Sequence, residues 1–236
     1  MVLIEEAVTK VIVTVNSEFI VKSNEGYNRL REIITRSCAT FDGQVPYLCA
    51  RYLHRAKGIE KISGSDLIYD FANACAKNGW TLFFLGGKES STRNAARVLR
   101  EEYGISAGGY SPPFSDYPFS NEINHDILSA IAKFKPDILF VGFGAVKQEY
   151  WIDDNLDELI RCGVKFVVGS GGTVDFVSGQ LRRAPKVFQI LCLEGVYRLL
   201  GEFSWKRVER LWLSCRVFKY VYARRPHNGN EYSNAP

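Results

Sequence analysis

Apolar and polar positions follow two rhythms along this chain. Short, unbroken apolar runs are separated by longer stretches whose apolar residues recur every three or four positions. The short runs are "VIVTV" (Val11–Val15), "TLFFLGG" (Thr81–Gly87), "DILFVGFG" (Asp137–Gly144) and "KFVVGSGG" (Lys165–Gly172). Their length predicts strands. A run that is apolar at every position suits a strand covered on both faces, as in a parallel sheet between helices. The stretches 25–36, 90–103 and the one after Gly144 through Ile160 carry helical spacing. Strands alternating with such helices predict right-handed βαβ units. The expected fold is therefore a Rossmann-like α/β core, a parallel sheet flanked by helices.

From about Pro185 the rhythm is helical only. In "SWKRVERLWLSCRVFKYVYARR", Trp205, Val208, Trp212, Cys215, Phe218 and Tyr222 lie three or four apart. After Pro226 the chain turns polar. The expected organisation is a core over 1–184, a helical basic C-terminal appendage over 185–225 and a disordered tail over 226–236. "GGYSPPFSDYPF" (Gly108–Phe119), with three prolines, reads as a structured loop or lid.

Charge sharpens the view of the appendage. The whole chain of 236 residues is only +4 at neutral pH, which implies no nucleic-acid partner. From Arg198 to Arg225, however, eight basic residues face two acidic ones, leaving the rest of the chain slightly acidic. A basic arm with an aromatic face is suited to an anionic membrane interface. A helix packed on the core with a solvated basic face is the alternative. No run is long enough to span a bilayer, and no basic segment followed by an apolar one opens the chain. Six cysteines without a CxxC pair point to reduced, buried thiols in a cytoplasmic setting. The three histidines are scattered, against a histidine metal site or a Ser-His-Asp triad.

Ligands of open α/β sheets bind beyond the carboxyl ends of the strands. Here those ends carry Gly86 and Gly87, Gly142 and Gly144, and Gly169, Gly171 and Gly172. Glycine turns that feed helix N-termini let backbone approach a phosphate. Each could also be an ordinary βα turn, but three in one sheet favour a phosphorylated or nucleotide ligand. Neither a GxGxxG fingerprint nor a Walker lysine is present. Lys147, Gln148 and Glu149 crowd the start of the helix after the third run, where an amide could reach a sugar or base and a carboxylate could bind hydroxyls. Asp175, Arg182 and Arg183 follow the fourth run, a carboxylate and guanidinium set suited to a ribose and a phosphate. Asp42 before Gly43 has the form of a turn. Thr14 and Asn16, at the end of the first run, have the form of a helix N-cap.

Taken in order, "TVN" (Thr14–Asn16), "DG" (Asp42–Gly43), "GSDL" (Gly64–Leu67), "LGG" (Leu85–Gly87), "VGFGAVKQEYW", "GGTVDFVSGQLRRAP" and "LEGVYRL" (Leu193–Leu199) resemble the WecG/TagA/CpsF glycosyltransferase family. The resemblance runs from about Val11 to Arg225. Val146 stands where the family usually has proline, and Gly195 where it has tryptophan. Family members also usually carry more residues ahead of the Thr-x-Asn strand, so an early strand–helix pair is expected to be shortened or missing.

The resemblance implies inverting transfer of a hexose or N-acetylhexosamine, or its uronic acid, from a UDP-sugar to a polyprenyl-diphosphate-linked saccharide. It implies work done peripherally on the cytoplasmic membrane face, without a metal or other cofactor. It implies Asp42 as catalytic base and substrate contacts from Thr14, Asn16, Gln148, Glu149, Asp175, Arg183 and Arg198. Arg207 and Arg210 are expected among the substrate contacts too, their register with the later family arginines being open. A non-catalytic nucleotide-binding scaffold of a polysaccharide assembly complex is the alternative of another class. A nicotinamide oxidoreductase is disfavoured by the missing fingerprint. The oligomeric state is open, a homo-oligomer included.

Overall fold

The computed structural model describes residues 9–180 and 205–223. Six parallel strands form one sheet: β1 (Lys10–Val15), β2 (Cys38–Phe41), β3 (Leu82–Gly86), β4 (Ala107–Tyr110), β5 (Ile138–Gly142) and β6 (Phe166–Gly169). Their order is β2-β1-β6-β5-β3-β4. The four apolar runs are the four inner strands, and the expected α/β class is the one observed. All of β3 and Ile138–Val141 of β5 are buried, as a strand between two helical layers must be.

The two edge strands lie where no strand was expected. β2 has no buried residue. β4 occupies the start of the proline-rich segment, so the loop begins at Ser111. Its glycines answer to neighbours distant in sequence. A Cβ at Gly108 would collide with the Phe134 ring, and one at Gly109 with Thr92 and the Phe84 carbonyl.

Among the described residues the α-helices are α1 (Ser17–Asn24), α2 (Asn28–Arg36), α3 (Gln44–Leu48), α4 (Gly64–Asn78), α5 (Glu89–Tyr103), α6 (Asn121–Phe134), α7 (Lys147–Asp154), α8 (Leu156–Arg161), α9 (Thr173–Val177) and α10 (Trp205–Ala223), with a π-helical turn over Cys49–Leu53. The helix expected through Ile160 is divided between α7 and α8. At the division the Asn155 amide donates to the Trp151 carbonyl (2.8 Å). The Asn155 N–H keeps its own ladder bond to the same carbonyl (3.1 Å), and it is the backbone of Asn155, at φ −114° and ψ 15°, that departs from helical geometry.

Side chains of successive strand residues point to opposite faces, and two apolar layers result. Leu82, Phe84, Phe140 and Val168 pack with Ile68, Ala72 and Leu99 of α4 and α5. Phe83, Leu85, Leu139 and Val167 pack with Ile127, Ile131 and Trp151 of α6 and α7. Just ahead of β5, Asp137 accepts the Thr81 N–H (2.8 Å) and pairs with Lys165 (2.7 Å). Burial alone would raise its carboxyl. The hydrogen bonds from Lys165 and Thr81 outweigh burial and hold it below the ordinary value.

The described residues divide into two compact units. The first holds 9–14, 28–40 and 62–180, and so most of the sheet. The second holds 15–27, 41–61 and 205–223. Within the second, Leu213, Val217 and Val221 of α10 are buried with Val21 of α1 and Cys49. Glu25 accepts hydrogen bonds from Arg216 and Tyr220. The apolar series legible in the sequence lies elsewhere on α10. Trp205 (77% exposed), Trp212 (61%), Phe218 (45%) and Tyr222 (53%) face out. Cys38 and Cys215 are exposed, unlike the buried thiols expected. Cys49 and Cys75 are buried, and burial pushes the Cys75 thiol up to about 11.

Candidate active site

Register brings the three glycine turns side by side in the first unit. Gly86 of β3 pairs with Gly142 of β5, and Val141 of β5 with Gly169 of β6. The glycines have different reasons to be there. A Cβ on Gly142 would stand 2.8 Å from the Gly171 carbonyl oxygen, and one on Gly169 would stand 2.7 Å from Glu149 Oε1. Gly86 has φ +94° and lies against Phe143 and Gly142. Gly86 and Gly142 serve the packing of turn on turn, and Gly169 makes room for the side chains of Glu149 and Gln148. Gly87, Gly144 and Gly171 have φ of +79°, +88° and +52°, a region glycine adopts without strain. Gly172, at φ −82°, is exposed, with no atom within 4 Å of a would-be Cβ. The outer part of the β6 turn is thus open to a close approach.

Beyond β5 the chain turns into α7, whose first residues are Lys147, Gln148 and Glu149. Gln148 is 3% exposed and Glu149 1%. Gln148 Oε1 of the side chain accepts the N–H groups of Gly144 (3.2 Å) and Gly171 (3.1 Å). Its amide nitrogen donates to Glu149 Oε1 (2.7 Å). Expected as groups reaching outward, these two side chains lie inside the protein, beneath the turns. Thr14, also buried, donates from Oγ1 to the Gly169 carbonyl (2.9 Å). Asp175 is half-buried in the first turn of α9, and its N–H donates to the Gly172 carbonyl (3.1 Å).

Lys147 ties the proline-rich loop to the start of α7. Its ammonium lies 4.8 Å from the centre of the Phe119 ring and 5.6 Å from that of Phe114, and donates to the Ser115 carbonyl. Burial lowers its pKa, with Asp116 opposing. The Tyr117 hydroxyl donates to Asp154 on the same helix. Burial, then this bond, raises the phenol's pKa. The sequence marks the loop and the lysine separately. Their meeting across about thirty residues carries no local signal.

In the second unit, Asn16 caps α1, its side-chain oxygen accepting the Phe19 N–H (3.2 Å). Asp42 follows β2 directly, half-buried, and its N–H donates to the Val15 carbonyl (2.8 Å). Gly43, at φ +100°, then turns the chain into α3. Arg207 and Arg210 lie on α10, with side chains outside the described ones. Arg182, Arg183 and Arg198 lie outside the described residues. The structure therefore brings Thr14, Gln148 and Glu149 together around the glycine turns, and describes Asn16 and Asp42 in the other unit.

Comparison with known proteins gives this arrangement a family. A Staphylococcus aureus protein (strain MRSA252) named N-acetylglucosaminyldiphosphoundecaprenol N-acetyl-beta-D-mannosaminyltransferase is 30% identical over 173 residues, covering 72% of this chain and 64% of that protein. The protein of the same name from S. aureus strain NCTC 8325 / PS 47 is 29% identical over 176 residues, with the same coverage. The chain thus spans less than two thirds of these relatives' length. The model of the glycosyl transferase WecG/TagA/CpsF family matches residues 2–228. With the parallel sheet, the paired glycine turns and this match over nearly its whole length, the chain belongs to the glycosyl transferase WecG/TagA/CpsF family.

Proposed function

We propose that the chain transfers an N-acetylhexosamine, N-acetylmannosamine foremost, from a UDP-sugar to a polyprenyl-diphosphate-linked saccharide in the synthesis of a bacterial surface polysaccharide or teichoic acid. The observation that carries this reading is a glycine-lined carboxyl edge in a chain of this family. The choice of sugar and acceptor follows the names of the S. aureus relatives.

In this reading the donor diphosphate lies against the open turns. Arg183, Arg198, Arg207 and Arg210 offset the charge that grows on the departing UDP, an interaction stronger in the transition state than in the ground state. Asp42 takes the proton of the acceptor hydroxyl as that oxygen attacks the anomeric carbon from the face opposite UDP, which inverts the centre. A free aspartate pKa near ~3.9 makes a weak base, so proton transfer runs late, in concert with bond breaking. Asn16 and Asp175 hold sugar hydroxyls. No metal or other cofactor is required.

The acceptor is lipid-bound, which gives α10 a role. Its exposed Trp205, Trp212, Phe218 and Tyr222 support binding at an anionic bilayer surface, the protein lying peripherally on the cytoplasmic face. Among the described residues no helix is long and apolar enough to cross a membrane.

The test is a transfer assay pairing a panel of UDP-sugars with synthetic lipid-diphosphate sugars, read by mass. One donor should add a single N-acetylhexosamine to the acceptor. UDP binding without product from any donor would favour the scaffold reading.

A further inference from the structure

Buried polar side chains are hydrogen-bonded, and their partners show what they hold in place. Gln148, the second residue of α7, is 3% exposed. One oxygen of its side chain accepts two backbone N–H groups from two different turns, Gly144 after β5 (3.2 Å) and Gly171 after β6 (3.1 Å). Its nitrogen donates to Glu149 Oε1 (2.7 Å). A primary amide suits this place, since it offers two lone pairs on one side and N–H donors on the other. Gly169 leaves the room, because a Cβ there would stand 2.7 Å from Glu149 Oε1 and 3.1 Å from Gln148 Nε2. No heavy atom lies within 4 Å of a would-be Cβ at Gly144 or Gly171. The turns also meet through backbone, the Ser170 N–H donating to the Val141 carbonyl (3.1 Å), while the Gly144 and Gly171 N–H groups are held by the Gln148 side chain.

We infer that Gln148 is a positioning residue that fixes the β5 and β6 turns at one spacing through the Gly144 and Gly171 N–H groups. Those two donors face inward, so a bound diphosphate must take its hydrogen bonds from other groups of the turns. Gln148 then acts on the donor through the turns rather than by touching it. This consequence rests on the nucleotide-binding reading of the turns; the lock itself does not.

Amide exchange of the full chain by NMR, with UDP binding by calorimetry, tests both parts. The Gly144 and Gly171 amides should be protected in the wild type. In Gln148→Met they should exchange at least tenfold faster, on the order expected for a local opening, while the amides of β3 and β5 stay protected. UDP affinity should fall by roughly tenfold or more, as misplacement of binding groups predicts. A general loss of structure would instead release the strand amides as well.

Unprotected Gly144 and Gly171 amides in the wild type would overturn the lock, and that measurement stands whether or not the variant folds. Faster exchange in the variant with unchanged UDP affinity would overturn the positioning role. Protected amides in a wild type that binds no UDP would support the lock and overturn the nucleotide reading instead.

Discussion

Thr14 donates its hydroxyl proton to the Gly169 carbonyl at 2.9 Å, joining the carboxyl halves of β1 and β6. Both residues are buried, and their strands are neighbours in the parallel ladder. A residue expected as a substrate contact thus bonds to the frame of the site. Thr14→Val keeps the branched shape and removes the donor. The expected loss is about 1–2 kcal/mol, the effect of leaving a buried carbonyl short of a partner. It should appear as a lower urea midpoint with an unchanged m-value. Wild-type stability in this variant would show that the bond contributes nothing to the fold.

Asp42→Asn keeps the size of the side chain and removes the base. Turnover should fall by ~10²–10⁴-fold, typical of general-base loss, with UDP affinity within about twofold of wild type because the nucleotide contacts are untouched. Steady-state kinetics of the transfer reaction and calorimetry with UDP separate the two. Turnover near wild type would remove Asp42 from the mechanism.

The two apolar faces of α10 should respond differently to substitution. Leu213 is 8% exposed against α1 and its neighbours, so Leu213→Ala should lower stability by about 2–4 kcal/mol. The loss should show in thermal melting and in faster proteolysis of the second unit. Trp212 is 61% exposed, so Trp212→Ser should leave melting almost unchanged. It should weaken co-sedimentation with anionic vesicles several-fold, in line with the burial of a large aromatic. Equal vesicle binding by wild type and Trp212→Ser would argue against this face as the lipid contact.

Asp137 gives the fold an acid-sensitive point. Its folded pKa lies below the ordinary value, mainly through Lys165 and the Thr81 N–H acting against burial. A carboxylate whose folded pKa is depressed adds stability that is complete above the unfolded value, about 3.9, and is lost as pH falls through the folded one. Asp137→Asn should therefore be less stable at neutral pH by roughly 1 kcal/mol, a modest figure because half-exposed Lys165 is screened by solvent. The difference from wild type should shrink below about pH 4 in urea titrations. A constant difference at every pH would exclude the carboxylate as its source.

Legibility followed burial. The inner strands β1, β3, β5 and β6 are covered on both faces, which leaves unbroken apolar runs in the sequence. The edge strands β2 and β4 are only partly covered. "CATF" and "AGGY" have no such signature, and Gly108 and Gly109 make sense only beside Phe134 and Thr92. The glycine turns were legible as turns. Their division into packing positions such as Gly142 and an open position such as Gly172 depends on which backbone lies across the gap.

The α/β class, the inner strands, the glycine-ended carboxyl edge and, through its motifs, the family can be read along the chain alone. Each of these is written in local order, as apolar period, glycine position or motif spacing. Other features emerge with the folded chain: Gln148 and Glu149 turn inward, Lys147 clasps the proline-rich loop, and Leu213, Val217 and Val221 are the covered face of α10 while the tryptophans stay exposed. Helical period tells which residues share a face. Which face is covered, and which backbone N–H a buried amide meets, depends on segments that approach from far along the chain.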